Sequence, residues 1–338
     1  MFYKNLVIID NEKISKKNGD FYCDNFEAKI SEDLNKELNV TIVARKSKID
    51  RASKINLEKV KISSNIFSFL INIFKTFGDK ETNYLIISIT PYTFLSYILL
   101  FIFNKKVFVY LRSDGHEEYK AILGFLGPII YNLMFRLVTF KSRIITCQKR
   151  LFIKRKCELV FPSELDSSWQ KNNRKPSLDK PRLLYVGRIK IEKGIFSLLE
   201  IFSKVDVDLN LTVAGRIEKS LPENNKVSFI GHVQGYQKLI EVYDSHNIFI
   251  LPSFTEAHPK VVDESLSRLR PVIIFDEIEH VVQNKKGIFV SKRNVTSLKQ
   301  TIKFIMENYN NIQEEIKNNK LPTKQEFISQ ILNILKTN

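Results

Sequence analysis

The chain has 338 residues, with 53 Lys and Arg against 37 Asp and Glu, a formal net charge of +16 and 43% hydrophobic residues. This composition excludes a disordered or fibrous protein, and the length favours two domains of ordinary size. The excess of positive charge indicates an anionic partner, which composition alone leaves open among nucleic acid, acidic lipid and a phosphorylated substrate.

The three cysteines, Cys23, Cys147 and Cys157, are too few and too irregularly spaced for a disulfide framework or a zinc site. The first apolar run, residues 6–9, is shorter than the core of a signal peptide and predicts a first strand instead. We therefore expect a cytoplasmic protein.

In the first half, apolar runs that predict strands alternate with helical patterns. The predicted strands are 6–9, 40–43, 85–89, 107–111 and 144–146, and the clearest helical pattern covers 62–77. Two apolar stretches, 84–104 and 121–140, approach the length of a membrane span. Pro91 interrupts the first stretch and Gly127-Pro128 the second, so we expect buried helices rather than spans.

The second half repeats this alternation. Strands are predicted at 183–186, 211–214, 227–230, 248–251, 272–275 and 287–290, and helices at 195–202, 238–243, 261–269 and 295–308. The polar segment 170–181 has no periodicity and predicts a linker. The predicted domains are therefore 1–169 and 182–322, with a C-terminal helix, 323–338, joining the first of them.

Strands that alternate with helices in this way predict parallel sheets with helices on both faces. The predicted fold class is α/β, with two Rossmann-like, doubly wound domains that face each other across a cleft. Because ligands of such sheets bind beyond the carboxyl ends of the strands, we expect the functional residues in the loops that follow the strands.

The loop after the strand that ends at Gly187 carries two cations. Arg188 and Lys193 lie five residues apart, just before the helix predicted to begin near Gly194. Free backbone N–H groups and the positive end of the helix dipole add to such cations, so the segment predicts an anion site with room for a diphosphate. An ordinary basic surface loop is the alternative.

A second segment carries two carboxylates. Glu256 lies in the loop after strand 248–251, and Glu264 lies in the helix that follows, with Pro259 predicted in its first turn. Carboxylates are good acceptors for sugar hydroxyl groups. The alternative is that Glu256 caps the helix and Glu264 is a solvated helix residue.

Four segments in this order resemble the C-terminal domain of glycosyltransferase family 4: LLYVGRIKIEKGI, LTVAGR, VSFIGHV and SFTEAHPKVVDESLSRLRPVII. The resemblance covers roughly residues 181–292 and is weaker over the first half, where LRSDGHEEY and VFPSELDSSW agree. It implies the GT-B fold and a retaining enzyme that uses a nucleotide-sugar.

The resemblance also implies roles. Arg188 and Lys193 would hold the diphosphate, Glu264 the ribose hydroxyls, and Glu256 a hydroxyl of the donor sugar. Further donor-binding positions are Gly187, Val233, Ala257, His258, Pro259 and Lys260. The family usually has Gly-Phe after the first glutamate, and Ala257-His258 stands here instead. A glycine allows close approach of backbone and sugar, so this departure leaves the donor sugar open.

No metal or other cofactor is expected, because two fixed cations and a helix N-terminus suffice for a leaving diphosphate. The pair Asp206 and Asp208 resembles the metal-binding pattern of a different glycosyltransferase fold, and we interpret it as solvated turn residues.

Residues expected on the acceptor side lie in the first domain. Asp114, His116 and Glu117 follow the strand 107–111, and Gly19 lies in the loop after the first strand. An ordinary polar loop is an equally good interpretation of the first three, because their position at the sheet edge is the main argument.

Residues Arg136–Lys156 include eight basic residues, interleaved with apolar ones, and no acidic residue. This pattern suits an anionic membrane surface, although a solvated face is the plain alternative. Nucleic acid is not expected, because neither an aromatic platform nor a helix-turn-helix pattern supports it.

The sequence as a whole predicts a retaining glycosyltransferase. It would transfer a sugar from a UDP- or GDP-linked donor to a glycan or lipid-linked acceptor in bacterial surface polysaccharide biosynthesis, peripherally at the inner membrane face. The alternatives are a GT-B nucleotide-sugar epimerase and a catalytically silent GT-B subunit that binds a partner glycosyltransferase.

Overall fold

Two sheets of parallel strands organise the chain in the computed structural model, which describes residues 4–23, 25–51, 53–78, 81–113, 115–148, 157–216 and 225–337. The chain divides into a first unit, residues 1–161 and 325–338, and a second unit, residues 162–324. The predicted first domain ended at residue 169, eight residues beyond the first segment of this unit.

The first unit contains nine strands and six helices among its described residues. The strands are β1 Asn5–Lys17, β2 Asp20–Cys23, β3 Asn39–Lys46, β4 Ser53–Ile55, β5 Lys59–Ser63, β6 Thr82–Ile87, β7 Lys106–Leu111, β8 Arg143–Thr146 and β9 Glu158–Leu159. The helices are α1 Asn25–Asn35, α2 Ile66–Phe74, α3 Pro91–Ile102, α4 Gly115–Leu123, α5 Leu126–Lys141 and, from the end of the chain, α12 Lys324–Lys336.

The main sheet of the first unit has the parallel order β5-β3-β1-β6-β7-β8-β9, with Ile8 of β1 between Ile42 of β3 and Leu85 of β6. Every residue of β6 is buried, as expected for a strand covered by helices on both faces. Helix α12 contributes Phe327 and Ile331 to the core of this unit.

Among its described residues, the second unit has six strands and six helices. The strands are β10 Arg182–Val186, β11 Asn210–Ala214, β12 Val227–Gly231, β13 Ile248–Leu251, β14 Val272–Phe275 and β15 Ile288–Ser291. The helices are α6 Ser167–Gln170, α7 Ile195–Ser203, α8 Tyr236–Asp244, α9 Lys260–Ser267, α10 Val295–Glu307 and α11 Tyr309–Lys317, and short 3₁₀ turns cover Ile191–Lys193 and Asp276–Val281. These strands pair in parallel, in the order β12-β11-β10-β13-β14-β15.

Two predicted elements differ from the structure near the start of the chain. The helix predicted at 62–77 begins only at Ile66, because the Asn65 side chain accepts a hydrogen bond from the Ser68 amide and caps it. Strand β1 extends beyond the predicted 6–9 and pairs with β2 in an antiparallel hairpin, whose tip is Asn18-Gly19 with φ values of 51° and 90°.

The segment predicted as a linker, 170–181, lies in the second unit and is bound to its core. The buried Arg268 donates hydrogen bonds to the carbonyl oxygens of Lys171 and Asn172, and the Asn247 side chain donates to those of Ser177 and Lys180. The polar composition of 170–181 predicted a linker, and it could not reveal these hydrogen bonds because the partners lie far along the chain.

The two apolar stretches form strand and helix pieces rather than spans. Residues 84–104 include the end of β6 and all of α3, and residues 121–140 include the end of α4 and most of α5. In the part of the chain that the structure describes, no helix is both long and apolar enough to cross a bilayer.

Candidate functional site

The strand order of the second sheet reverses between β10 and β13, which are hydrogen-bonded neighbours. In doubly wound sheets, the loops that follow the two strands at such a point diverge and leave a crevice for ligands. Here these loops are residues 187–194, the first loop, and residues 252–259, the second loop. Most of the predicted donor-binding residues lie in these two loops or in helix α9 directly after the second.

The first loop is held tightly against the second loop. Gly194 has a φ of 67°, and a Cβ atom there would lie 1.8 Å from the carbonyl oxygen of Pro252. The Phe254 amide donates a hydrogen bond of 3.1 Å to the Glu192 carbonyl oxygen. Only glycine satisfies both the left-handed backbone and the close approach, so Gly194 determines how the loops fit together.

We expect Gly194→Ala to lower the free energy of unfolding of the second unit by more than about 2 kcal/mol, because it combines backbone strain with a steric clash. Urea titration followed by the fluorescence of Trp169, the single and fully buried tryptophan, measures this loss. Gly231→Ala is the control, since Gly231 also has a positive φ, but a Cβ atom added there would meet no other atom within 4 Å. Equal losses in the two variants would contradict the role of the loop contact.

Lys193 and Glu256 form an ion pair across the two loops. The Lys193 Nζ lies 2.6 Å from Glu256 Oε1, and both side chains are largely buried. The Ser253 hydroxyl donates to the same carboxylate oxygen at 2.7 Å, and His280 Nε2 lies 2.9 Å from the Glu256 carbonyl oxygen. Both the side chain and the backbone of Glu256 are therefore fixed, which is the kind of preorganisation that a binding site requires.

Arg188 is exposed at the end of β10, and its carbonyl oxygen accepts a hydrogen bond of 2.7 Å from the Tyr185 hydroxyl. Helices α7 and α9 begin directly after the first and second loops, and neither has a side-chain cap at its N-terminus. Their first-turn N–H groups, together with Arg188 and Lys193, suit an anionic ligand.

Glu264 lies inside α9 and is buried, with 6% of its surface exposed. The Tyr243 hydroxyl donates a hydrogen bond of 3.0 Å to Glu264 Oε2. Burial raises the pKa of Glu264 to about 7, while the charge of Lys260 and the bond from Tyr243 oppose the rise. Glu264 is therefore an oriented carboxyl group that titrates near neutral pH, not the solvated helix residue of the alternative interpretation.

A second buried carboxylate, Glu164, lies in the same cluster. It accepts a hydrogen bond of 2.7 Å from the Tyr236 hydroxyl, and Lys260 Nζ lies 3.4 Å from its other oxygen. Lys260 thus pairs with Glu164 and also acts electrostatically on Glu264. No local sequence pattern selects Glu164 or Tyr236, because they lie 72 residues apart.

His258 stands where glycosyltransferase family 4, which this segment resembles, usually has phenylalanine, and its side chain is buried. Its Nε2 lies 3.2 Å from Asp263 Oδ2, and Lys285 Nζ lies 2.6 Å from Asp263 Oδ1. Burial alone would raise the pKa of Asp263, but His258 and Lys285 together hold it below its usual value. Through this buried contact with Asp263, the His258 side chain links the second loop to α9.

The other predicted donor residues line the same sheet edge. Gly187 follows β10 and its amide donates to the Ala214 carbonyl oxygen at 2.9 Å, and Val233 follows β12 and is half-buried. Ala257 is also half-buried. Pro259 precedes α9 with extended backbone, φ −76° and ψ 104°, instead of lying in the first turn as predicted, because the helix begins at Lys260.

Of the predicted acceptor residues of the first unit, the structure describes Gly19 and the side chain of His116, which lie in different elements. Gly19 forms the exposed tip of the β1–β2 hairpin, where the turn itself requires a glycine. The His116 ring in α4 packs against Tyr131 and Phe135 of α5, with ring centroids 4.7 and 5.5 Å away. Asp114 and the side chain of Glu117 lie outside the described residues.

Two observations bear on metals. In the described ranges, no group of three or more His, Cys, Asp and Glu side chains could hold a metal ion. Asp206 and Asp208 lie in an exposed turn before β11, and Asp208 pairs with Lys180 at 3.5 Å.

Sequence reasoning missed the residues that hold the two glutamates in place. Ser253 had a short-range signal, since it lies three residues before Glu256. Tyr243 and His280 lie 21 and 24 residues from their partners, in the neighbouring helix and turn, and only the fold brings them close.

Residues 167–321 match the family model described as Glycosyl transferases group 1. A Haemophilus influenzae protein named "Uncharacterized glycosyltransferase" is 27% identical over 137 residues, which are 36% of this chain and 38% of that protein. The Bacillus subtilis "Putative teichuronic acid biosynthesis glycosyltransferase TuaC" is 34% identical over 103 residues, 29% of this chain and 25% of that protein. The chain thus spans less than two fifths of the length of either relative.

Solved structures match over nearly the whole chain. Sucrose-phosphate synthase from Thermosynechococcus elongatus is 14% identical with a TM-score of 0.69, covering 98% of both chains. Anabaena Alr3699/HepE, solved with UDP and glucose, is 13% identical with a TM-score of 0.67, covering 98% of this chain and 99% of that one. WaaG, a glycosyltransferase involved in lipopolysaccharide biosynthesis, is 12% identical with a TM-score of 0.66, covering 98% and 100%. The chain therefore has the GT-B fold, and its residues 167–321 are similar to the glycosyl transferases of group 1.

Proposed function

We propose that the protein is a retaining glycosyltransferase that binds a nucleoside-diphosphate sugar at the carboxyl ends of β10 and β13. The family match and both curated relatives support a transferase. The observation that carries the proposal is the preorganised ion pair of Lys193 and Glu256, which the two loops after β10 and β13 hold at 2.6 Å. The buried Glu264 lies in the helix that follows the second loop.

Three charged groups of the two loops, Arg188, Lys193 and Glu256, have a part in this reaction. Bond cleavage between the anomeric carbon and the diphosphate leaves negative charge on the phosphate oxygens and positive character on the sugar. Arg188 and Lys193 stabilise the departing diphosphate, together with the uncapped N–H groups at the starts of α7 and α9. Glu256, fixed through Lys193 and Ser253, accepts a hydrogen bond from a hydroxyl of the donor sugar.

The ribose is assigned to Glu264. The Tyr243 hydroxyl, 3.0 Å from Glu264 Oε2, orients the Glu264 carboxylate, which can then accept hydrogen bonds from the ribose hydroxyls. Val233, which follows β12, is assigned to the border of the base. His258 contributes by holding the backbone of residues 257–260 in place, since its side chain is engaged with Asp263.

The acceptor is proposed to be a glycan or a lipid-linked saccharide of a bacterial surface polysaccharide. This part of the proposal draws on the names of WaaG and of the Bacillus relative, which refer to lipopolysaccharide and teichuronic acid biosynthesis. Independence of metal ions and peripheral contact with the membrane through residues 136–156 remain predictions, and residues 149–156 of that segment lie outside the described residues.

The test is a panel of UDP- and GDP-linked sugars, each incubated with the protein and analysed for free nucleotide, free sugar and isomerised donor. Hydrolysis of a donor in the absence of an acceptor supports a transferase. Formation of α-linked products from an α-linked donor, once acceptors are added, supports retention. An epimerised nucleotide-sugar as the product would identify an epimerase, and nucleotide binding without turnover of any donor would identify a silent subunit. Either of these results would overturn the proposal.

The pKa of Glu264 leads to a prediction about pH. Burial raises this pKa to about 7, so the carboxylate that accepts the ribose hydroxyls gains population as the pH rises through neutrality. We expect UDP or GDP to bind up to about tenfold more tightly at pH 8 than at pH 6, as measured by calorimetry. Glu264→Gln should reduce this dependence to the part that comes from the terminal phosphate of the nucleotide, whereas Glu200→Gln, at an exposed residue of α7, should retain all of it. A wild-type affinity that is constant with pH would refute the assignment.

A further inference from the structure

The first unit exposes an unusual amount of apolar surface on the helices that cover one side of its sheet. In α5, Leu126, Ile129, Ile130, Leu133, Leu137 and Phe140 are all exposed and recur every three or four residues. The opposite side of the same helix, including Tyr131, Met134 and Val138, is buried in the core. A surface helix of a globular protein normally has a polar outer side. The apolar outer side of α5 therefore indicates that it is covered by something apolar, in addition to the core that covers its inner side.

The neighbouring helices extend this surface. Helix α2 exposes Phe67, Ile71 and Phe74 with helical spacing, and α3 ends in the exposed Phe101 and Ile102. Helix α3 packs against both α2 and α5, and the rings of Phe74 and Phe103 lie 5.5 Å apart. Helix α4 ends in the exposed Ile122 and Leu123. We call the exposed apolar side of α2, α3, α4 and α5 the apolar face.

Charge indicates what covers the apolar face. Helices α2, α3 and α5 contain no Asp or Glu, and α5 exposes Arg136 and Lys141, whereas α4 exposes both Glu118 and Lys120. The Lys141 ammonium lies 5.1 Å from the Phe101 ring centroid, so cations and aromatic rings share the same surface. Two copies of this face would bring cations against cations, which disfavours self-association.

The exposed side chains also argue against a protein partner. Protein interfaces carry about one hydrogen bond per 100–200 Å² of buried surface, which needs polar groups among the apolar ones. The outer stripe of α5 offers almost exclusively hydrocarbon, with Arg136 and Lys141 as its polar members. Interfacial helices in the plane of a membrane combine hydrocarbon and cations in this way.

We propose that the apolar face inserts into the surface of an anionic lipid bilayer, with α5 lying in the membrane plane. The inference deepens the membrane part of the proposed function: it places the contact on α2, α3, α4 and α5, and it makes burial of hydrocarbon, rather than charge alone, the main source of affinity. Arg143, one of the eight basic residues of the predicted cluster, does not serve this contact, since it lies in β8 and pairs with Glu158 at 2.9 Å.

Flotation with lipid vesicles tests this inference. Vesicles of phosphatidylcholine with and without phosphatidylglycerol are used, at low and high salt and without nucleotide. The triple variant Ile129→Gln, Leu133→Gln, Leu137→Gln should bind anionic vesicles about 100-fold more weakly or worse, because three side chains lose their burial in lipid. The matched control carries Leu178→Gln, Val207→Gln and Phe304→Gln, three exposed apolar residues of the second unit, and should bind as the wild type does.

Two further variants separate insertion from adsorption. Arg136→Gln with Lys141→Gln should weaken binding to anionic vesicles by about fivefold per cation. Leu133→Trp places an indole on the stripe, and brominated acyl chains should quench its fluorescence on vesicles if the stripe enters the bilayer. Indole fluorescence that bromine leaves unquenched would mean adsorption through charge alone and would overturn the inference.

Other results would also overturn it: wild-type protein that stays unbound, a triple variant that floats like the wild type, or a wild-type dimer in light scattering that the triple variant converts to a monomer. Donor hydrolysis, assayed without vesicles, should be equal in the wild type and the triple variant. Vesicle binding without any donor turnover would leave this inference standing and contradict only the proposed function.

Discussion

Replacing Lys193 by alanine is expected to lower kcat for donor turnover by about 10²–10³, because it removes a fixed cation from the position where charge develops on the leaving diphosphate. The ion pair of 2.6 Å with Glu256 adds a second cost, since the variant leaves a largely buried carboxylate without its cationic partner. Steady-state release of UDP or GDP measures the effect.

Lys204→Ala is the matched control for this prediction. Lys204 follows α7, is exposed and pairs with Glu200 along the same helix, so its replacement should leave kcat unchanged. Lys193→Arg should restore part of the activity, because it keeps the charge but changes its geometry. A wild-type kcat in Lys193→Ala would show that Lys193 does not stabilise the leaving diphosphate.

The largest effect on stability is expected for Arg268→Ala. The Arg268 guanidinium is 1% exposed, contacts Asp244 through both carboxylate oxygens at 2.9 and 2.7 Å, and donates to carbonyl oxygens of residues 169, 171 and 172. Its removal leaves a buried aspartate facing the more distant Arg270, 3.7 Å away. We expect a loss of about 3–5 kcal/mol in the free energy of unfolding of the second unit.

Urea titration with Trp169 fluorescence reports this loss, since Arg268 binds the Trp169 carbonyl directly. Arg182→Ala removes an ion pair that is partly exposed to solvent, in which one guanidinium nitrogen contacts both carboxylate oxygens of Asp179. That control should cost less than about 1 kcal/mol. Similar losses for the two arginines would show that the buried pair does not stabilise the second unit.

Strands buried on both faces could be predicted well from the sequence, because they are short runs of apolar residues. The predictions for β13 and β14 coincide with the observed strands, Ile248–Leu251 and Val272–Phe275, whereas β6, predicted at 85–89, covers Thr82–Ile87. The strands β4 and β5 were missed, since Ser53–Ile55 and Lys59–Ser63 are short, lysine-containing and only partly buried. Their place is determined by pairing with β2 and β3, which no local pattern reveals.

In the candidate site, too, residues close together in the chain could be predicted, whereas contacts between distant residues could not. Glu256 and Glu264 could be selected from their spacing and resemblance, because they are close in the chain. The support around them could not: Glu164 lies 96 residues from Lys260, and Lys285 lies beyond the next strand from Asp263. The role of His258 also needed the structure, since the sequence showed only a departure from the family pattern, whereas the fold buries the side chain against Asp263.

A crystal structure of the protein with bound UDP or GDP tests the central claim most directly. We expect the diphosphate within hydrogen-bonding distance of Lys193 Nζ and the Arg188 guanidinium, and the ribose hydroxyls within hydrogen-bonding distance of the Glu264 carboxylate. A nucleotide bound away from the carboxyl ends of β10 and β13, with the Lys193–Glu256 pair and Glu264 untouched, would contradict it.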